Sequence, residues 1–133
     1  MTDLNDNALN EAESINTLLK QNNISAKLYT TAKANEESFK ALSGKGVNTI
    51  HIATHGFFLS DNAELKKNAF INPTMSDKIG FVNPMMRSGL LFAGGNRAWT
   101  GKRHIKGIED GILTAKEIST LDFSSVDLVV LSA

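Results

Sequence analysis

Val47-Asn48-Thr49-Ile50-His51-Ile52-Ala53-Thr54-His55-Gly56 is the stretch that decides the fold. Its first seven residues are mostly apolar and rich in β-branched types, a composition that suits a strand buried on both faces. The run stops at Thr54-His55-Gly56. A second such run, Val126-Asp127-Leu128-Val129-Val130-Leu131, lies at the other end of the chain and stops at Ser132-Ala133. If the two strands are parallel neighbours, a strand spacing near 4.8 Å puts their C-terminal ends roughly 5–10 Å apart. In open α/β sheets that edge is where ligands and catalytic groups gather.

Working outward, Ala8, Ala12, Ile15 and Leu19 recur at helical spacing, with Leu9 and Leu18 widening the stripe. Asn5 or Asn7 can cap the start, and Asn22-Asn23 can stop it. Ala26 to Tyr29 reads as a short strand. Asn35-Glu36-Glu37 reads as a cap with acids in the first helical turn, where the dipole favours them. Phe39 and Leu42 give that short helix its apolar side, and Gly44-Lys45-Gly46 ends it. Residues 57–88 show little periodicity and hold both prolines, Pro73 and Pro84. They read as a long loop or irregular insertion, a length that usually marks function or disorder. Ser88 to Gly94 is a further strand, Gly95 to Gly107 a polar loop, and Leu113 to Leu121 a helix. Thr114 and Glu117 have the spacing of a capping box. Strands alternating with helices point to an α/β layer fold with a largely parallel sheet.

The 133 residues fit one domain, 1–133. A hydrophobic share of 41% and a charged share of 21% are those of a globular chain. Fourteen Lys and Arg balance fourteen Asp and Glu, so the basic excess expected of a nucleic-acid binder is missing. There is no cysteine, which excludes disulfides and Cys-ligated zinc within the chain. The polar, acidic start is no signal peptide. The apolar runs fall short of the roughly 20 residues of a membrane helix. The expectation is a soluble cytoplasmic protein with no membrane or nucleic-acid partner, no metal and no cofactor.

His55 at a strand end is either a polar stop or a base serving a nucleophile on the neighbouring strand. Gly56 after it would let backbone N–H groups approach a substrate carbonyl closely. His51 stands four residues earlier, but four residues of strand span about 13 Å, and the glutamate of a His-Glu-x-x-His zinc motif is absent. It reads as structural. His104 sits among Lys102, Arg103 and Lys106 in what reads as a solvated basic loop. Glu109-Asp110-Gly111 is a turn pair. A sharper reading lets one of these acids meet a basic substrate side chain by charge pairing. Phe57 and Phe58 either line a substrate cleft or pack under the long loop. Trp99 is a candidate partner contact. Gly94-Gly95-Asn96 lacks either phosphate-binding glycine pattern and reads as a tight turn.

Ile50-His51-Ile52-Ala53-Thr54-His55-Gly56-Phe57-Phe58 resembles the histidine motif of the CHAT family, caspase-like cysteine peptidases often joined to tetratricopeptide repeats. Three further blocks follow in order. Asn83-Pro84 with Ser88 to Asn96 resembles the next family block, and Glu109 to Ile118 the third. Leu121-Asp122 with Asp127 to Ala133 resembles the fourth. The early helix with Glu11-Ala12 and the Ala32 to Phe39 segment fit as well, so the likeness runs from about Ala8 to the end. It implies a caspase-like three-layer α/β fold, cut after the strand that precedes the nucleophile. It also implies His55 as general base of a Cys–His dyad, Gly56 as an oxyanion donor and a peptide or protein substrate. In the family a catalytic cysteine follows the Ser-Ala pair, and this chain has none. The chain is therefore expected to be an inactive N-terminal part of a cysteine endopeptidase. One alternative is a CHAT-like pseudopeptidase that acts as a binding or scaffold module. Another is an unrelated α/β domain that binds nucleotide or phosphate. Self-association through the exposed sheet edge, or partial disorder of residues 57–87, is expected of the isolated chain.

Overall fold

The computed structural model describes residues 4–59, 83–100 and 109–132. Helix α1 spans Leu4–Gln21 and α2 spans Glu36–Lys40. Strands β1 (Thr49–Ala53) and β2 (Gly56–Phe58) follow, then β3 (Ser88–Leu91), α3 (Gly95–Trp99), β4 (Ile112–Thr114), α4 (Ala115–Ile118) and β5 (Leu128–Ser132). Short 3₁₀ turns occupy Thr31–Lys33 and Pro84–Met86.

The sheet expected to be largely parallel is divided in two. β1 and β5 pair in parallel, with Ile50 opposite Val129 and Ala53 opposite Ser132. β2, β3 and β4 form an antiparallel sheet in that order. Thr54 joins the two sheets. Its N–H donates to Ser132 O on β5 (2.9 Å), and its hydroxyl donates to Leu91 O on β3. Because strand side chains alternate, Ile50 and Ile52 share one face of the parallel pair with Val129 and Leu131. His51 and Ser132 lie on the other face, beneath α1.

The core is small. Phe39, Ile50, Ile52 and Leu113 are buried, with Leu42, Leu90, Phe92, Ile118 and Phe123 packed around them. The Phe39 ring meets Phe92 at 5.4 Å, tilted, and Phe123 at 5.5 Å, edge-on. Such geometries favour the aromatic quadrupole over face-to-face stacking.

Local signals set several boundaries. α1 begins earlier than the asparagine caps suggest, with Asn5 and Asn7 inside it, and it ends where expected. Asn23 adopts a left-handed φ of 58°, Ile24 N–H donates to Leu19 O, and Asn23 N–H donates to Lys20 O. That is the Schellman pattern. Asn35 caps α2 by accepting from Ser38 N–H (2.9 Å). Thr114 and Glu117 form the capping box of α4.

Three expectations are corrected. Ala26–Tyr29 is not a strand, because among the described residues it has no partner and residues 26–28 are exposed. The helix expected over 113–121 is confined to Ala115–Ile118, because Ile112–Thr114 pairs with β3 instead. Residues 95–99, read as loop, are helical. Of the long insertion expected over 57–88, residues 57 and 58 belong to β2, Pro84–Met86 is a 3₁₀ turn and Ser88 begins β3, while 60–82 lie outside the described residues.

Candidate active site

The level ends of β1 and β5 build the site. Their register pairs Ala53 with Ser132, and the Thr54 N–H to Ser132 O bond carries the pairing one residue further. His55 comes next. Its carbonyl accepts from Leu91 N–H (2.9 Å), which fixes the backbone, while the residue is exposed. His55 lines a cleft of about 640 Å³ whose walls include Ala8 and Ala12 of α1, Tyr29, Thr31, Phe92 and Asn96. Thr31 holds a left-handed φ of 51°, which is costly for a β-branched residue. Strained residues of this kind concentrate at binding sites.

Gly56 opens β2 opposite Leu90. The bonds Leu91 N–H to His55 O and Leu59 N–H to Arg87 O mark 55/91 and 59/87 as hydrogen-bonded pairs. In an antiparallel ladder such pairs alternate with non-bonded ones, so 56/90 is of the other kind. The Gly56 N–H therefore points away from β3. Neither backbone nor packing demands glycine there. Its φ is not left-handed, and an added Cβ would meet Gly89 O at an ordinary 3.6 Å.

Beneath the site, Glu11 of α1 bridges the two parallel strands. Oε1 lies 2.8 Å from His51 Nε2, and Oε2 accepts from Ser132 Oγ at 2.9 Å. These bonds, that of Ser132 foremost, hold the Glu11 carboxyl below its ordinary range. His51 is thus a strand-supporting residue, as its sequence context suggests. Sequence reasoning named Glu11 only as part of a family block, and Thr54 and Ser132 only as block members and strand ends, and gave none of the three a role at the site. The contacts of Glu11 lie 40 and 121 residues away along the chain, so no local pattern could have marked it.

Glu109 and Asp110 are not among the residues lining the His55 cleft. Glu109 lies 3.2 Å from Lys40 Nζ, and its N–H donates to Glu37 Oε1. Asp110 accepts from Ile112 N–H (2.9 Å). Lys40 also meets Glu36 at 2.7 Å and Glu117 at 3.1 Å. Oxygens of Glu36, Glu109 and Glu117 lie within 4.8 Å of one another, a spacing that could hold a metal ion. The Lys40 ammonium supplies the positive charge there. Burial works against that charge, yet bonds to Glu36, Glu117 and Glu109 outweigh it and hold the lysine above its ordinary range. Burial pushes Glu36 up, with Lys40 opposing.

Phe57 and Phe58 line a different space, an apolar groove of about 580 Å³ over Ile50, Ile52, Val129 and Leu131. Gly94 starts the turn into α3 with a left-handed φ of 96°. His104 and the Trp99 side chain lie outside the described residues. Among the described residues no helix is long and apolar enough to cross a membrane.

The chain matches no curated protein and no solved structure. A family model described as the CHAT domain matches residues 3–133, nearly the whole length, so the chain belongs to the CHAT domain family.

Proposed function

We propose that the chain supplies the histidine half of a Cys–His endopeptidase centre acting on a peptide or protein. The observation that carries this reading is the level, in-register ending of β1 and β5, with exposed His55 two residues beyond β1 and lining a cleft. The family motif has its cysteine directly after the Ser-Ala pair, so by the Ala53–Ser132 register such a cysteine would stand at the same strand edge as His55. The 133 residues contain no cysteine, so they supply no thiol for the dyad themselves.

The chemistry follows from the pair. A free thiol has a pKa near 8.5 and is mostly protonated at neutral pH; a neighbouring imidazolium lowers it and holds the thiolate. The thiolate attacks the scissile carbonyl, and His55 passes its proton to the leaving amine, a role worth about 10²–10⁴-fold. The Gly56 N–H, unclaimed by β3, donates to the oxyanion. Glu109 and Asp110 enter as an acidic turn that favours basic substrate side chains. Phe57 enters through the apolar groove. Asp110→Ala in the active protein checks the acidic turn, and an unchanged preference for basic sites overturns it. The setting we propose is cytoplasmic, with tetratricopeptide repeats elsewhere in a longer protein.

The test begins with the codons after Ala133. A cysteine there, with peptidase activity abolished by His55→Ala, is the expected result. A stop codon or a non-nucleophilic residue overturns the peptidase reading. That outcome selects the second reading, a CHAT-like pseudopeptidase that docks a protein without cutting it.

A further inference from the structure

We propose that Glu11 is a positioning residue, its carboxylate bracing β1 against β5 so that the two strand ends keep the spacing and stagger a nucleophile–base pair needs. The inference rests on the Cys–His reading above. Glu11 spends each oxygen on a different strand, Oε1 on His51 of β1 and Oε2 on Ser132 of β5. A carboxylate only accepts, so both partners must donate: the Ser132 hydroxyl and the His51 Nε2–H. The two contacts are staggered along the sheet. His51 stands opposite Val130, and Ser132 opposite Ala53, two residues nearer the site. One rigid group on a helix thus triangulates the two strands from the face opposite the core.

The position of the brace matters as much as its strength. Ser132 also accepts, through its carbonyl, from Thr54 N–H at 2.9 Å. Thr54 is directly followed by His55. A shift of Ser132 is therefore passed to the backbone that carries the base. Ala8 and Ala12, on the same helix as Glu11, form a wall of the His55 cleft. The brace sets that wall and the two strand ends together. Misplacing reacting groups by about 1 Å can cost on the order of 10²-fold in rate.

The experiment has two parts. In the 133-residue chain, amide hydrogen exchange is followed at Thr54 in the parent, Glu11→Gln, Glu11→Ala, Ser132→Ala and the double alanine variant. Protection of Thr54 should fall about tenfold or more in Glu11→Ala and in Ser132→Ala, with no further loss in the double variant, because both remove one linkage. Leu113, in the antiparallel sheet, should keep its protection. Glu11→Gln preserves shape and one acceptor and guards against simple failure to fold; it should show a smaller loss at the same amide. Unchanged Thr54 protection in all variants, or losses that add, overturns the brace.

In the longer protein carrying the nucleophile, kcat should fall about tenfold or more in Glu11→Gln with KM within about twofold, the split expected of a misplaced reacting pair. If His55→Ala abolishes activity while Glu11→Ala leaves kcat intact, the positioning role fails and the dyad stands. If His55→Ala leaves activity intact, the dyad fails, and the positioning role falls with it whatever Glu11 does.

Discussion

At the scale of single residues, two glycines one strand apart separate fold from function. Gly89 sits in β3 against β4, where an added Cβ would collide with Leu113 O and lie 2.9 Å from Thr114 Cα. Both are backbone, so nothing flexible can give way. Gly89→Ala should cost about 1–3 kcal/mol, the usual penalty of overpacking, read as a lowered denaturation midpoint. Gly56→Ala meets only an ordinary contact at 3.6 Å and should change stability by about 0.5 kcal/mol or less. Under the proposed Cys–His reading, in an active protein it should nonetheless lower kcat/KM about tenfold or more, because the methyl crowds a carbonyl approaching the Gly56 N–H. A Gly56→Ala variant that cuts as fast as its parent would remove Gly56 from the site. The position of His55 and Gly56 just past the end of β1 was legible because they form one contiguous block with the strand-like run. Glu11 was not, because its meaning lies in two strands distant along the chain.

At the scale of elements, the same division between local and distant holds. The Asn35 cap and the Thr114–Glu117 capping box were readable because donor and acceptor stand three residues apart. β2 and β4 were not, since three residues carry no periodicity and each exists by pairing with β3. Lys40 joins α2 to α4 and to the 109–111 turn, a tie between separate elements that also governs the response to acid. Burial works against the charge of Glu117, but bonds from Thr114 and Lys40 hold it below its ordinary value of 4.5. Bonds from Ser132 and His51 lower Glu11, and bonds from Ser124 lower Asp122. Each lowered group binds fewer protons folded than unfolded, so its stabilisation is present above the ordinary value and is lost as pH falls through the folded one. Glu36 has the opposite sign. Raised by burial, it stabilises the fold below 4.5 and ceases to do so as pH rises through its folded value. The melting temperature should therefore fall between about pH 5 and pH 3, with Glu36 blunting the fall. Glu36→Gln should steepen that slope even though it lowers stability overall. A slope unchanged by the substitution would show that Glu36 does not titrate as its burial demands.

At the scale of the whole molecule, the two strands of the parallel pair are unequally covered. Ile50 and Ile52 are 7% and 9% exposed under Phe39 and its neighbours, while Val129 and Leu131, on the same face, are 51% and 61% exposed. Among the described residues β5 pairs only with β1, and no described strand lies along its far edge. An apolar strand with an open edge and an open face is a template for pairing with another chain. The zero net charge supplies no long-range repulsion to oppose it. The isolated 133-residue chain should thus self-associate through β5, visible as a concentration-dependent sedimentation coefficient. Leu131→Lys puts a charge on the open face and should shift the population toward monomer. It should leave the antiparallel sheet, and hence Leu113 amide protection, as it was. Salt gives the complementary check, because contact between apolar faces persists at high ionic strength whereas association through surface charge is screened. Association that disappears in salt, or that Leu131→Lys leaves untouched, would place the contact elsewhere on the molecule and leave β5 exposed in solution as well.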